Sequence, residues 1–528
     1  MSVSRRRSPG AQELIGRVLD PGTWRSWDED LSALERLDLG PAATGGRPGY
    51  AEELAAAAGR SGVDESVITG EGRLNGRRIA VIACEFGFLA GSIGVAAAER
   101  FVRAVERATA ERLPLVASPT SGGTRMQEGT VAFVQMVKIA ASIARHRAWG
   151  LPYVTYLRHP TTGGVLASFA SLAHVTAAEP GALIGFLGPR VYEALYGEAF
   201  PSGVQVAENL FEHGLIDAVV QPEDLREIAV RAFDVLCAPA ELAAAAAQRG
   251  APVAAIGAAA ASGAAPTPDP LPDHRAWDSI TRSRREDRPG VRALLRVAAS
   301  GVMPLNGTGQ GEADPGLMLA LARFGNAPCV VLGQDRRRSA TRPLGPGGLR
   351  VARRGMRLAE EVGLPLVCVI DTAGAALSQE AEEGGLAGEI ARSLADLTTL
   401  AAPTVCLLLG QGTGGGALAL LPADRVIAAE HAWLSPLPPE GASAILHRTT
   451  DRAPEVAGWQ QVRSVDLLRH GVVDRIVPER PDAADEPEAF LHRVGAVLAE
   501  ELLQLLDVDP ARRLEDRLLR YRRIGLPD

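Results

Sequence analysis

The chain has 528 residues, too many for one ordinary core, so two domains of roughly 200 residues or more are expected. With 63 acidic residues against 55 basic ones, a net charge of −8 and no long basic run, a nucleic-acid footprint is not indicated. The 46% hydrophobic and 4% aromatic content fits an α/β protein, and five scattered cysteines without a CxxC pair give no basis for a zinc ribbon or a disulfide framework.

In chain order, MSVSRRRSPG is basic but lacks an apolar run, so it is not read as a signal peptide and the expected location is cytoplasmic. Residues 1–50 read as an extension, in which SWDEDLSALERLD has helical periodicity and acidic caps. The first domain is placed at 51–236. There GRLNGRRIAVIACEF (72–86) predicts a strand after a turn, and ERLPLVASPTSGG (111–123) a strand ending in glycines. FVQMVKIAASIA is helical and carries Lys138, the only lysine of the chain. GLPYVTYLRHPTTGG (150–164) is another strand with a glycine turn, VLASFASLA after it reads as a helix start, and HGLIDAVV (213–220) closes the series.

Residues 237–275 are rich in Ala, Gly and Pro and read as a linker. The low-polarity stretch around 251–265 is too weak and broken to span a membrane. The plan then recurs over 276–528: LARFGNAPCVVLGQD (321–335), VGLPLVCVIDTAG (362–374), LAAPTVCLLLGQGTGGG (400–416) and HGVVDRIV (470–477). Gly122 to Gly163 and Gly374 to Gly415 are both 41 residues apart. These strands alternating with helices predict an α/β fold of two β/α domains related by internal duplication.

The paired glycine turns carry the chemical suggestion. Two glycines after a strand let the backbone approach a ligand without a Cβ in the way. A helix opening there leaves N–H groups unpaired, which can stabilise a negatively charged oxygen. TTGGVLAS and TGGGALAL would give two such anion holes, suited to a reaction with two enolate-like oxygens. The alternative is a tight turn copied by gene duplication without its function. Other chemistries lack their signatures. No GK[ST] lysine makes a P-loop, GQGTGG is not the dinucleotide-binding pattern, and no GxSxG elbow stands between a strand and a helix. Lys138 sits in the wrong context for a biotinyl-lysine.

Beyond these readings, the first half resembles the beta subunit of the bacterial acetyl-CoA carboxylase carboxyltransferase. The residues are ITGEGRLNGRRIAV, GSIGVAAAERFVRAVE, SPTSGGTRMQEGTVAFVQMVKIAASIAR, HPTTGGVLASFASL, AAEPGALIGFLGPRVYE and LFEHGLIDAVV. The second half resembles the alpha subunit through AWDSITRSRREDRP, VIDTAGAALSQEAEEGGLAGEIARSL, GQGTGGGALALLPADRVI, SPLPPEGASAILHR and LRYRRIG. The matches span roughly 70–500 and the last residues, so the chain looks like a natural beta–alpha fusion.

The resemblance implies the crotonase-like fold and a biotin-dependent carboxyltransferase. Carboxybiotin on a separate biotin carboxyl carrier protein would release CO2, the biotin ureido anion would take a proton from acetyl-CoA, and the thioester enolate would attack CO2 to give malonyl-CoA. A separate biotin carboxylase would recharge the carrier. By the same resemblance, the amides of Gly163 and Gly164 face the thioester oxygen, and those of Gly416 and Ala417 face the biotin oxygen. Gly122, Gly123 and Arg125 would line the CoA side; Gly374 and Gly415 would shape the biotin side, and Ala419 the pocket size. Glu128 would order its loop or a helix end, Asp371 would cap, and Glu382 and Glu383 fit either the alpha-subunit pattern or a solvated face. The family's sites form between different protomers, so a homodimer is implied.

Two departures matter. No cysteine precedes Cys84, so the beta subunit's zinc ribbon is absent and no zinc is expected. DTAGA stands for the alpha subunit's DTPGA, and ALSQEAEEGG after it diverges. A decarboxylase using the same enolate chemistry and a silent acyl-CoA-binding subunit are the competing readings.

Overall fold

The computed structural model describes residues 8–28, 49–186, 188–258 and 272–524. It divides into two compact units, one running to Phe233 with Gly309–Gly311, the other holding Asp234–Thr308 and the chain from Glu312 onward.

The first unit is built on a seven-stranded sheet. In chain order its elements are β1 (Arg25–Ser26), α1 (Tyr50–Ser61), β2 (Val67–Leu74), β3 (Arg77–Cys84), α2 (Val95–Ala110), β4 (Leu115–Ser118), α3 (Gly129–Ala148), β5 (Tyr153–Leu157), β6 (Thr161–Thr162), β7 (Val175–Ala178), β8 (Ile184–Gly185) and β9 (Ala218–Val219). β2 and β3 form a hairpin across Asn75 and Gly76, both at positive φ, the turn that the NG dipeptide favours. From β3 onward the path β3-β4-β5-β7-β9 is parallel. A parallel neighbour needs a crossover, and α2 and α3 supply it between β3, β4 and β5. α2 buries Ala97, Phe101, Val105 and Ala108, one face of a 3.6-residue period.

The second unit repeats the arrangement. α4 (Ala238–Arg249), α5 (Val253–Ala258) and α6 (Ala276–Ser283) lead into β10 (Ala299–Leu305), β11 (Leu317–Phe324), β12 (Ala327–Gln334), α7 (Pro346–Val362), β13 (Leu366–Thr372), α8 (Leu386–Thr399), β14 (Thr404–Thr413), α9 (Gly414–Leu418), β15 (Arg425–Ala429), β16 (Trp433–Ser435), β17 (Arg475–Val477), α10 (Pro487–Leu506) and α11 (Pro510–Arg523). β10-β11-β12 are antiparallel, and β12-β13-β14-β15-β17 run parallel. Every residue of β12 and β13 is buried, which is why residues 327–333 and 366–370 read as unbroken runs without a polar side chain.

Two expectations changed on folding. Residues 237–275 read as a linker, yet Ala238–Arg249 and Val253–Ala258 are helices of the second unit. Alanine is the strongest helix former, and the Asp507 carboxylate accepts from the Val253 and Ala254 N–H groups at 2.7 and 2.8 Å. Residues 259–271 of that stretch lie outside the described residues. In the N-terminal extension, Ala11–Val18 is a helix and Arg25–Ser26 adds a short strand beside β2. Most of SWDEDLSALERLD lies outside the described residues.

Candidate functional site

In each unit two neighbouring parallel strands end in glycine-bearing loops that pack on each other. In the first unit they are β4 and β5. The loop after β4 bonds to the loop after β5 through Ser121 N–H to the Pro160 carbonyl at 2.7 Å and Thr162 N–H to the Ser121 carbonyl at 2.9 Å. Gly163 has φ +67° and Gly123 φ +110°; a Cβ on Gly163 would stand 3.0 Å from the Gly123 Cα. Side chains at both positions would strain the backbone and force the loops apart. Gly122 donates to the Ala90 carbonyl at 2.9 Å and Gly123 to the Ser121 hydroxyl at 3.0 Å.

The N–H groups divide differently from the sequence expectation. Gly163 donates to the Phe186 carbonyl at 3.0 Å, so its amide is occupied; its left-handed turn aims it at that oxygen. The Gly164 N–H meets no acceptor within hydrogen-bond geometry among the described residues. The expected helix after Gly164 is also absent. Gly163–Val165 and Phe169–Ser171 are short 3-10 turns, so the exposed peptide group, not a helix dipole, is what this turn offers.

Arg125, expected on the CoA side, is held inside the fold of this chain. It is 1% exposed; its guanidinium pairs with Glu65 through both terminal nitrogens and donates to the Ser92 carbonyl at 2.8 Å. Burial makes the arginine a brace for its loop, since a charge removed from water must be paired. Glu128 fills both roles considered for it. One oxygen accepts from Val95 N–H at 2.6 Å at the start of α2, the other from the Tyr50 hydroxyl at 2.5 Å. A Cβ on Gly94 would lie 2.2 Å from the Glu128 carboxylate, so that glycine makes room for the cap. Arg158, also 1% exposed, bonds to Ser118 Oγ at 2.9 Å and to the Ser118 carbonyl at 3.0 Å, locking the ends of β4 and β5.

In the second unit the corresponding strands are β13 and β14. Gly374, at φ +139°, bends the DTAGA loop and donates to Thr372 Oγ1 at 3.1 Å. A Cβ on Gly416 would lie 3.2 Å from the Ala375 nitrogen, so this glycine lets α9 rest on that loop. A Cβ on Gly415 would meet Ile390 Cδ1 at 2.7 Å. The Gly416 N–H, in the first turn of α9, meets no acceptor within hydrogen-bond geometry among the described residues, and the Ala417 N–H follows it as the fourth of that helix. Ala417 and Ala419 are fully buried within this chain, and the Ala419 N–H bonds to the Gly415 carbonyl at 2.9 Å.

Beside this turn lies a cavity of about 520 Å³, lined among others by Arg284, Arg336, Arg337, Asp371, Gly374 and Gln411. Asp371 is fully buried. One oxygen accepts from the Gln411 N–H at 3.1 Å, and the other lies 3.5 Å from Arg336 Nη1 without a hydrogen bond. Burial pushes its pKa up, against the pull of Arg336 and Arg288. A Cβ on Gly410 would come within 2.5 Å of this carboxylate, which explains that glycine. The AWDSITRSRREDRP segment braces the strand ends: Arg288, fully buried, holds Glu479 at 2.6 and 2.7 Å and the Leu409 carbonyl at 3.0 Å.

Other candidates are structural. Glu382 and Glu383 are exposed, the solvated-face alternative. His159 accepts from Leu183 N–H at 3.0 Å and His174 from Tyr153 N–H at 3.0 Å. His274, Glu430 and His431 cluster, but Arg282 Nη1 stands 3.1 Å from His431 Nε2, where it would oppose a cation. Lys138 pairs with Glu99 at 2.6 Å. All five cysteines are free and buried. No described helix is long and apolar enough to cross a membrane. Sequence reasoning missed Glu65 and Gln334, because neither belongs to a motif and each acts on a segment distant in the chain.

Comparison with known proteins identifies the family. The chain matches the carboxyl transferase domain family over residues 49–505. It is 60% identical, over 98% of both chains, to a probable biotin-dependent acyl-coenzyme A carboxylase beta3 subunit of Mycobacterium tuberculosis. It is 36% identical to acetyl-coenzyme A carboxylase carboxyl transferase subunits beta/alpha of Salinispora arenicola, covering 98% of this chain and 90% of that one. Its fold is similar to that of transcarboxylase 12S, with a TM-score of 0.67, 20% identity and coverage of 92% of this chain and 89% of that one. The two turns with free N–H groups thus sit on a crotonase-like scaffold, and the chain belongs to the carboxyltransferase family of biotin-dependent acyl-CoA carboxylases.

Proposed function

We propose that this chain moves CO2 from carboxybiotin, carried on a separate protein, to a short acyl-CoA, with acetyl-CoA giving malonyl-CoA as the first candidate. The observation that carries the reading is the pair of equivalent strand-end turns with an unpaired N–H group, Gly164 in one unit and Gly416 in the other. In this reading the Gly164 N–H holds the thioester oxygen as it becomes an enolate, with Gly163 supplying the turn. The Gly416 and Ala417 N–H groups hold the ureido oxygen of biotin, a substrate arriving on its carrier. Charge develops on both oxygens in the transition state, and fixed donors stabilise it without reorganisation. Bringing the two reactants together adds the advantage of proximity. No side chain of this chain needs to act as the base.

The proposed assembly is a cytoplasmic homodimer, each active site drawing its two turns from different protomers. Exposed apolar side chains support association: Phe133, Val134 and Val137 on α3, and Leu377, Ile445 and Trp459 in the second unit. A biotin carboxyl carrier protein and a biotin carboxylase would complete the enzyme.

The test is malonyl-CoA loss by the purified protein with and without biocytin. Biocytin-dependent loss is expected. Equal loss without biocytin would make the protein a decarboxylase, and no loss with any short acyl-CoA in a panel, with or without a carrier, would overturn the reading.

A further inference from the structure

We infer that Gln334 is a positioning residue for the Gly416–Ala417 turn; the inference rests on reading that turn as an anion hole. Gln334 ends β12 and is fully buried. Its Nε2 donates to the Gly416 carbonyl at 2.7 Å, and its Oε1 accepts from the Asp371 N–H at 3.2 Å. The two bonds fix the side-chain amide. Flipped, it would set oxygen against a carbonyl and NH2 against an N–H.

The consequence lies in the peptide that Gln334 holds. α9 has five residues, and the Leu420 N–H goes to the Ala417 carbonyl, so the Gly416 carbonyl depends on Gln334. In a trans peptide the C=O and the N–H point in opposite directions. Drawing the Gly416 oxygen toward Gln334 therefore fixes the plane of the Gly416–Ala417 peptide and aims the Ala417 N–H away from Gln334, toward the N-terminal end of α9 where the Gly416 N–H is unpaired. The same side chain grips β13 one residue before Thr372, at the root of the loop whose Ala375 packs on Gly416. One glutamine thus sets the direction of a donor and the register of the two segments that frame it.

Two substitutions separate positioning from mere packing. Gln334→Met keeps the volume and removes both bonds. Gln334→Glu keeps the acceptor for Asp371 N–H; ionised, it has no donor for the Gly416 carbonyl, but protonated it offers an O–H. For biocytin-dependent malonyl-CoA loss, Gln334→Met is expected to lower kcat by roughly 10- to 100-fold, below the cost of deleting a donor outright. Its KM for malonyl-CoA should stay close to that of the parent. Gln334→Glu should be similarly impaired at alkaline pH and approach the parent enzyme as pH falls. A folded Gln334→Met enzyme with the parent kcat would overturn the proposal, as would a Gln334→Glu enzyme whose deficit does not change with pH.

A crystal structure of Gln334→Met gives a readout without turnover: a rotated Gly416–Ala417 peptide supports positioning, an unmoved one sinks it. Should Gln334→Met fail to fold, the pH profile and crystal structure of Gln334→Glu decide. If the parent protein shows no biocytin-dependent turnover, the carboxyltransferase reading fails by itself, and the peptide orientation still judges Gln334.

Discussion

Adjacent glycines in the first turn do different work. Gly163 is required by conformation, with φ +67° and a Cβ that would press on the Gly123 Cα at 3.0 Å. Gly164 has no positive φ, and its Cβ would meet Met136 Cγ and Thr124 Oγ1 at 3.2 Å, contacts that side chains can relax. Gly163→Val is therefore expected to cost at least about 1–2 kcal/mol of stability from the left-handed conformation alone. Gly164→Val should fold with a smaller loss of Tm, and its kcat should fall by roughly 100-fold or more as the donor is blocked. Urea titrations and biocytin-dependent kinetics on both variants check the split. A stable Gly164→Val protein with unchanged kcat would remove Gly164 from the proposed chemistry.

At the scale of elements, the sequence pattern gave the strands, and buried charges clamp them. The C-terminal helix α11 is the clearest case, since LRYRRIG resembles a family segment without declaring what it does. Arg517 is buried in it and holds both oxygens of Asp424 at 2.7 and 2.8 Å, with the carbonyls of Leu397, Leu400 and Ala402 at 2.8 to 3.1 Å. Asp424 also accepts from Thr404 N–H at 2.7 Å, where β14 begins. The tail thus closes the end of β14 opposite the glycine turn. Arg517→Ala leaves a buried carboxylate without its guanidinium and should destabilise the protein by about 3–5 kcal/mol. Chemical denaturation reads this directly; a loss below 1 kcal/mol would mean the tail is not the clamp described. The Ala-rich run after 237 shows the opposite error. Low complexity suggested a linker, yet the same alanines form two helices, and Asp507, some 250 positions away, caps the second of them.

At the scale of the whole molecule, the duplication makes a prediction that neither half makes alone. With sites assembled across protomers, a heterodimer of one Gly164→Val chain and one Gly416→Val chain has one site with both lesions and one with neither. Co-expression of two differently tagged chains should restore about half the parent activity to two otherwise inactive variants. No recovery in a purified heterodimer would place both turns of a site in the same chain. The sequence by itself determined the repeated β/α plan, the turn before β3 and the two glycine turns, because these depend on neighbours a few residues apart. Tertiary structure alone decided which amides stay free. Gly163 and Gly164 are alike in sequence, but only the fold brings the Phe186 carbonyl to the first and leaves the second unpaired. It also brought Glu65 to Arg125 and Gln334 to Gly416, pairs 60 and 82 residues apart, because hydrogen bonds depend on distance in space and not along the chain.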